Sequence, residues 1–516
     1  MPRFFNTAGP CKPEWHYMLP AAARLKGLRQ VIDRMGYFVL HAPRQSGKTT
    51  ALFELASQLT AEGRYAAVVL SAETGAWAGD DPGAAENAIL GDWERSAQHR
   101  LPKALWPGAW RAATGGSRVA AALAGWCESL SRPLVLFLDE ADALRDNALV
   151  SVLRQLRSGY NDRPTGFPQS IGLVGLRDVR DYVVASGGSG RLGSSSPFNI
   201  KLESFTVGDF TRDEVASLYS QHTSDTGQEF EPPAIDLAYS LTMGQPWLVN
   251  ALAAQATDVV VPDRAVPVTA AHVDEAREIL IRRQDTHLDS LGERLREDRV
   301  RAVIEPIIAG TSGGSWAPDD VRYVNDLGLA RQTPLGGVQI ANPIYREIIS
   351  RVLEVSPRAQ LPEISPTWLL PSGDIDIDQL MASFLDFWRR HGEALLGTAP
   401  YREVAAQLVM MAFLDRVANG GGRIDREFAL GRGRIDLCLS WHAQRFAFEL
   451  KVWRDGEPDP VEEGLPQLDE YLAKLGLQTG WLVVFDQRPG LPRARERTSA
   501  SQVATPNGRD VMVVRA

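Results

Sequence analysis

A chain of 516 residues has room for about three or four domains, and 44% apolar with 23% charged residues is the balance of an ordinary folded protein. Its 45 glycines and 32 prolines fall without a period, which excludes collagen, coiled coil and wholesale disorder. A net charge of -9, from 55 basic and 64 acidic residues, does not announce bulk nucleic-acid binding, although a local basic patch can act inside an acidic chain. The three cysteines, Cys11, Cys127 and Cys438, are odd in number and far apart, so they make neither a disulfide framework nor a zinc site and fit a reducing compartment. The first residues lack a signal-peptide pattern and no apolar run approaches the ~18 residues that span a bilayer. A cytoplasmic protein without a membrane partner is therefore expected.

Pro2, Pro10, Pro13 and Pro20 break up the first segment. Tyr37–His41 then reads as a short buried strand, Thr49 to about Glu62 as a helix, Tyr65–Leu70 as a second strand, Pro133–Leu138 as a third and Ile171–Gly175 as a fourth. Strands alternating with helical stretches predict a parallel α/β sheet covered on both faces, here assigned to residues 1–202. From 203 to 293 the strands vanish and helical patterns dominate, as a helical lid. Residues 294–353 mix helices with a hairpin signal, Leu329–Arg331 and Val338–Ile340 around Pro334–Gly337, the outline of a winged-helix-like module. Pro357, Pro362, Pro366 and Pro371 mark 354–375 as an extended linker. A second α/β domain, 376–516, follows: helices at 376–394 and 400–418, strands at 424–430, 434–441 and 445–453, a helix at 461–475 and a strand at 480–486. The polar stretch 488–508 is expected to be mobile.

Ala42, Pro43, Arg44, Gln45, Ser46, Gly47, Lys48 and Thr49 follow the first strand and open a helix, with Thr50 next to them as a further candidate contact. The spacing is that of a phosphate-binding loop with alanine at the first glycine position. Such a loop turns successive backbone N–H groups and a helix N-terminus toward phosphate. Gly47 permits close approach, Lys48 brings a point charge to the β and γ phosphates, and the Thr49 hydroxyl is placed to ligate Mg²⁺. The third strand ends in Asp139 and Glu140, and acids at the carboxyl end of a parallel strand sit where ligands bind in open sheets. Asp139 is expected to hold the metal and Glu140 to polarise an attacking water. The bland alternative is a pair of acids beside a helix N-terminus.

These two motifs, with a strand between them, resemble the additional-strand P-loop ATPases, and the helical lid and winged helix narrow the resemblance to the AAA+/STAND-like group. Phe4 to Pro10, His16-Tyr17, His41 to Thr50 and Ala341 to Glu347 are similar to a bacterial family of AAA-like ATPases, over about residues 3–353. The resemblance implies ATP as cofactor with Mg²⁺, an adenine contact from Pro10 to Tyr17, and Arg177 as a sensor of the γ-phosphate. It also implies a second sensor arginine at Gly244–Trp247, where none occurs, so hydrolysis is expected to be slow or to need a partner's arginine. Arg191 is a candidate donor, with self-assembly through this module.

In the last domain, Asp436 lies near the start of one strand, while Glu449 and Lys451 share a face of the next because side chains alternate. Phe448 and Leu450 then point into the core. Two acids on neighbouring strands beside a lysine suit a divalent-cation site for phosphodiester hydrolysis; a cross-strand charge ladder is the alternative. Glu403 on a preceding helix and Gln467 on a following one complete an order that resembles the PD-(D/E)XK nuclease superfamily, over about 376–487. That resemblance implies Asp436, Glu449 and Glu403 as ligands for Mg²⁺ or Mn²⁺, Lys451 as the group that activates water, and Gln467 as support. Ile435 stands where many members have proline. Trp441 and Trp453 are candidates for stacking on unpaired bases, and Arg432 and Arg434 for backbone phosphate.

The expected function is an ATP-hydrolysing protein that regulates a tethered metal-dependent nuclease acting on nucleic acid, DNA before RNA, by analogy in defence or mobile-element biology. The alternatives are a nucleotide switch whose last domain binds a partner or nucleic acid without cutting, and a winged-helix regulator of duplex DNA.

Overall fold

The computed structural model of the chain describes residues 3–175, 201–283, 291–308, 316–333, 336–360, 366–398, 405–418, 421–429, 434–492 and 494–516. They divide into two compact units, Met1–Leu280 with Asp326–Gly328, and Ile281–Asn325 with Leu329–Ala516.

The first unit is built on five parallel strands, β1 (Tyr37–His41), β2 (Ala66–Ser71), β3 (Leu134–Asp139), β4 (Ser170–Gly175) and β5 (Lys201–Thr206), in the order β2-β3-β4-β1-β5. The first four are nearly continuous apolar runs because both faces are covered. Tyr37, Val39, Leu136 and Leu138 enter one core and Phe38, Leu40, Val135 and Phe137 the other. Helices α1 (Leu28–Asp33) and α2 (Lys48–Ala61) supply the second core, and α3 (Pro82–Arg100), α4 (Arg118–Ser129) and α5 (Asp146–Ser158) the first. The strand β5 lies where strands were expected to have ended. Its short, partly polar text, LESFT after Lys201, becomes a strand by pairing with the edge of β1.

Four helices follow: α6 (Arg212–Thr226), α7 (Pro232–Thr242), α8 (Pro246–Gln255) and α9 (Ala270–Arg283). Helix α6 opens on a capping box, Thr211 accepting from the Glu214 N–H while the Glu214 carboxylate accepts from that of Thr211. Between α7 and α8, Gly244 adopts φ +81°, and a side chain there would meet the Phe210 carbonyl oxygen at 1.8 Å. Only glycine permits that turn. The first residues of the chain strap this bundle, Phe5 and Tyr17 packing among Tyr219, His222 and Phe230.

The second unit starts with α10 (Asp298–Ile308), α11 (Pro318–Asp326, whose last residue belongs to the first unit), the hairpin β6 (Ala330–Gln332) and β7 (Val338–Ile340), and α12 (Pro343–Gln360). Residues 354–360, expected as extended linker, continue α12, since Pro357 falls in a helix already paired through its earlier turns. Then α13 (Ile377–Thr398), α14 (Ala405–Ala418) and α15 (Val461–Leu475) flank a six-stranded sheet in the order β12-β13-β11-β10-β9-β8. Its strands are β8 (Gly422–Ala429), β9 (Arg434–Trp441), β10 (Gln444–Trp453), β11 (Thr479–Asp486), β12 (Ser499–Ala504) and β13 (Asp510–Arg515). Antiparallel pairing joins β8 to β9 and β9 to β10, and α15 crosses over to set β11 parallel to β10. Phe448 and Leu450 lie in the core under α13 and α14; Cys438, Ala447, Leu482 and Val484 meet α15 on the other face. The stretch 488–508, expected to be mobile, carries a helical turn at Ala494–Arg497 and the edge strand β12. Ser499, Ala500, Ser501 and Gln502 are exposed there, so no apolar alternation announces the strand.

One buried charge holds three helices of the first unit. Glu86 of α3 is fully buried, and its carboxylate accepts from the N–H groups of Gly116 (3.0 Å) and Arg118 (3.2 Å), from Ser151 Oγ (3.1 Å) and from Gln155 Nε2 (2.8 Å). It thereby ties α3 to the start of α4, where unpaired N–H groups and the helix dipole favour an anion, and to α5. Removing it strands those donors in the core. Glu86→Ala is expected to cost about 3 kcal/mol and Glu86→Gln less, read as the shift in the denaturant midpoint of the full chain.

Candidate functional site

The site forms at the carboxyl edge of the first sheet. The loop between β1 and α2 turns through two left-handed residues, Gln45 (φ +60°) and Gly47 (φ +86°). Ala42 is buried and is not among the residues of positive φ, so the glycine usual at that position is not required here. Pro43 is half-buried, whereas Arg44 and Gln45 are exposed and line the cavity described below. Lys48 Nζ folds back onto the loop and donates to the carbonyl oxygens of Ala42 (2.5 Å) and Pro43 (2.7 Å). Burial pulls its pKa down to about 8 against the opposing pull of Asp139. Ser46 is buried and its Oγ has no partner among the described residues.

Strand β4 separates β1 from β3, yet the ends of those two strands meet: Thr49 Oγ1 donates to Asp139 Oδ2 at 2.7 Å. Asp139 is buried, which raises its pKa, and its Oδ1 accepts from the Glu140 N–H at 2.9 Å. Glu140 sits in the left-handed region (φ +53°) at the end of β3, a conformation that costs energy in a residue with a side chain. Its Oε2 accepts from Ser71 Oγ at 3.0 Å, and burial, with Glu73 and Asp139 nearby, pushes its pKa up. Ser71, at the end of β2, was not singled out in the sequence; its position beside Asp139 in the β2–β3 register brings it there.

A cavity of about 670 Å³ opens from this point, within the range of small-ligand sites. Gly47, Lys48, Thr49, Asp139 and Glu140 form one part, and Asn6 to Cys11, Phe53, Pro246, Trp247 and Asn250 another. The Cys11 N–H donates to Thr50 Oγ1 (3.0 Å), and Trp247 Nε1 donates to the Thr7 carbonyl (2.8 Å). Thus the wall runs from the phosphate-binding loop through the N-terminal strap to the lid. Of the segment expected to contact a base, Pro10 and Cys11 line the cavity. Tyr17 does not; it packs against Phe5 and His222, because aromatic burial against the lid outweighs exposure in the pocket. Gly244–Trp247 does reach the cavity, with Trp247 in place of an arginine. Arg177 and Arg191 lie outside the described residues.

The geometry suits a nucleoside triphosphate with a divalent cation: a lysine that, among the described residues, bonds carbonyls of its own loop, and a hydroxyl–carboxylate pair of the kind that ligates Mg²⁺.

In the second unit, β10 carries Glu449, fully buried, and Lys451, nearly so. Lys451 Nζ lies 3.2 Å from Glu449 Oε1 and donates to Gln467 Oε1 at 2.6 Å. Gln467 Nε2 in turn donates to Glu463 Oε1 at 2.8 Å. Glu463 was not anticipated, although it stands one helical turn before Gln467. The backbone of Asp436 is in register with Glu449 across the β9–β10 pair. Glu403 and Arg432 lie outside the described residues, and Arg434 opens β9. Among the described residues no group of three or more His, Cys, Asp or Glu side chains converges to hold a metal ion. The two tryptophans are otherwise engaged. Trp441 is buried and donates to the Gly373 carbonyl at 2.8 Å. The ring of Trp453 faces the guanidinium of Arg488 at 3.5 Å and of Arg515 at 5.3 Å. One fills a core and the other joins a cation–π cluster.

No protein-family model and no curated protein matches the chain. Among solved structures it is similar to a Walker-type ATPase of Pyrococcus abyssi, at 13% identity over 67% of this chain and 99% of that one, with a TM-score of 0.47. It is also similar to the ORC2 protein of Aeropyrum pernix (13% identity, 65% and 93%, TM-score 0.38) and to the RuvB Holliday junction branch migration motor of Thermotoga maritima (17%, 64% and 92%, TM-score 0.33). No described helix is long and apolar enough to cross a membrane.

The indole bond to Thr7 fixes the strap against the lid. Trp247→Phe is expected to cost about 1 kcal/mol and to speed amide hydrogen exchange at residues 6–11, with the sheet strands unchanged.

Proposed function

We propose that the chain binds and hydrolyses ATP at the cavity of the first unit and that this cycle regulates a metal-dependent phosphodiesterase in the second, acting on nucleic acid, DNA before RNA. The observation that carries the first half is the 2.7 Å contact between Thr49 and Asp139 across an intervening strand. Two motifs 90 residues apart in sequence are joined at the atoms that phosphoryl transfer requires.

In this reading the loop amides and the helix N-terminus of α2 receive the phosphates, and Lys48 leaves its own carbonyls for them. Thr49 and Asp139 would hold Mg²⁺, which when bound neutralises charge on the transferring group. Glu140 orients the attacking water and takes its proton. Ser71 holds the Glu140 carboxylate in place, so it is a positioning residue. Trp247 contributes no positive charge where the resemblance implies an arginine, so a charge donated by a second copy of the chain completes the site, with Arg191 as the candidate. The hairpin β6–β7 and helices α10 to α12 fit a winged-helix-like module.

For the second unit, the reading rests on Lys451, Glu449 and Gln467 in contact and on Asp436 in register with Glu449. Asp436 and Glu449, with Glu403, would hold Mg²⁺ or Mn²⁺, and Lys451 would stabilise charge at the scissile phosphate. A second reading, a nucleotide switch whose last domain binds nucleic acid or a partner without cutting it, is motivated by Trp247 standing at the cavity where the resemblance implies an arginine.

Lys48→Ala is expected to weaken ATP binding about 10- to 100-fold, and Glu140→Gln to keep binding while lowering turnover about 100-fold or more. Both are read by calorimetry and phosphate release. With Mg²⁺ or Mn²⁺ and ATP, the full chain is expected to nick plasmid or single-stranded DNA, and Asp436→Ala and Lys451→Ala to abolish it. Binding of DNA with no scission under either metal, and identical behaviour of Asp436→Ala, selects the switch instead.

A further inference from the structure

Beside the phosphate-binding loop, outside the cavity, stands a half-buried arginine, Arg24. It ends a helical turn, Ala22–Arg24, whose start is fixed to α2: Glu54 Oε2 accepts from the N–H groups of Ala21 (2.7 Å) and Ala22 (3.2 Å). From there the guanidinium reaches two backbone carbonyls at once. Nη1 donates to the Ser46 carbonyl at 3.3 Å and Nη2 to that of Gly208, while Cζ lies over the ring of Phe210, 4.7 Å from its centre. A planar fork can serve two acceptors and a ring together, whereas a lysine ammonium cannot. Burial lowers the pKa, with Glu214 and Asp209 acting against that, and a guanidinium so placed stays charged.

Each of these contacts has a far side. In a trans peptide the C=O and the following N–H point in opposite directions. The bond that holds the Ser46 carbonyl therefore turns the Gly47 N–H away from Arg24, and Gly47 lines the cavity at the start of α2. A side chain on Gly47 would come within 3.3 Å of Nη1, so the guanidinium packs directly against the loop. At the other end, Gly208 and Phe210 lead into α6 and the lid. The Phe210 N–H donates to the Gly244 carbonyl at 2.8 Å, and Gly244 leads through Gln245 into α8, which lines the cavity with Pro246 and Trp247. One side chain thus ties the peptide that opens the loop to the segment that opens the lid.

We propose that Arg24 is a positioning residue that aims the Gly47 amide at phosphate and transmits occupancy of the loop to the start of the lid. It touches no ligand and acts through the Ser46 and Gly208 carbonyls. The inference rests on the nucleotide-binding reading of the first unit and adds the group that couples the loop to the lid.

Calorimetry with ATP and Mg²⁺, and amide hydrogen exchange with and without saturating ATP, test it in the full chain. The unaltered protein is compared with Arg24→Met, Arg24→Lys and Phe210→Leu. In the unaltered chain ATP is expected to slow exchange at residues 42–50 and also at 208–215, none of which lines the cavity. Arg24→Met keeps the length of the side chain without fork or charge. It is expected to bind ATP about tenfold weaker, and to keep the slowing at 42–50 while losing it at 208–215. Arg24→Lys restores the charge alone and is expected to regain affinity but not the slowing at 208–215. Phe210→Leu removes the ring under the guanidinium and is expected to reduce that slowing, with ATP bound about threefold weaker. Slowing at 208–215 that survives in Arg24→Met, or that Arg24→Lys restores in full, overturns the proposal. So does ATP binding by Arg24→Met within about twofold of the unaltered chain. ATP that binds the unaltered chain and leaves 208–215 unchanged overturns it too, with nucleotide binding still standing. No ATP binding by the unaltered chain overturns the parent reading together with this one. Where Arg24→Met does not fold, Phe210→Leu decides: slowing at 208–215 equal to that of the unaltered chain overturns the proposal, and reduced slowing supports it.

Discussion

The first unit is arranged around β4, the strand that stands between the two motifs and pairs with the strands that carry them. β4 lies between β1 and β3, so the loop after β1 and the acids after β3 start two strand spacings apart, near 10 Å. The gap is closed by α2 beginning directly over the sheet edge, which carries Thr49 to Asp139, and by the parallel register that ends β1, β2, β3 and β4 at one edge. Were any of these strands reversed, its terminal side chains would fall at the opposite edge and the hydroxyl and carboxylate could not meet. The bond between them is thus a consequence of topology, and it keeps together two groups whose chemistry depends on proximity.

The strain at Glu140 follows from the same closure. Asp139 turns back to accept the N–H of the next residue, and the chain leaves β3 through a left-handed conformation that glycine or asparagine would adopt more readily. A glutamate is retained there at a cost, with Ser71 on its carboxylate. Local rules are broken at functional sites and upheld elsewhere, and the cores on either side of this sheet keep them: β1, β2 and β3 alternate their residues between two apolar layers.

That contrast explains what could be read from the sequence. Apolar runs of strand length, a Gly-Lys-Thr turn and a Leu-Asp-Glu ending are local patterns, and the elements they mark appear within a residue of where the text places them, as in Tyr37–His41 and Leu134–Asp139. Three strands escaped: β13 carries an apolar run, Val511 to Val514, that went unread, while β5 and β12 have no local pattern, each a short, polar edge segment that becomes a strand only because a neighbour offers its backbone groups. Ser71 and Asn250, which reach the cavity from distant sequence, were invisible for the same reason, whereas Trp247 belongs to a segment that the resemblance had placed at the site. Nothing within ten residues of Ser71 or Asn250 distinguishes a pocket-lining polar group from a core one. Glu463 was nearer to legible, since a carboxylate one turn before Gln467 is a recognisable helix pair.

The two units differ in how their charged groups are matched, and this bears on where control resides. In the second, Lys451 is already held by Glu449 and Gln467, and Gln467 by Glu463, a chain of bonds reaching from β10 into α15. Partners so matched resist rearrangement, because breaking one bond leaves a buried group exposed to its full desolvation cost. In the first, Lys48 rests on two carbonyls of its own loop, and the wall is assembled from three segments remote in sequence. A ligand that satisfies these groups would bind the strap, the loop and the lid to one another. Its binding energy is then spent where it can bias the lid relative to the sheet, since only contacts that differ between two arrangements shift the balance between them. Occupancy of this cavity and the order of its three wall segments are in that way linked.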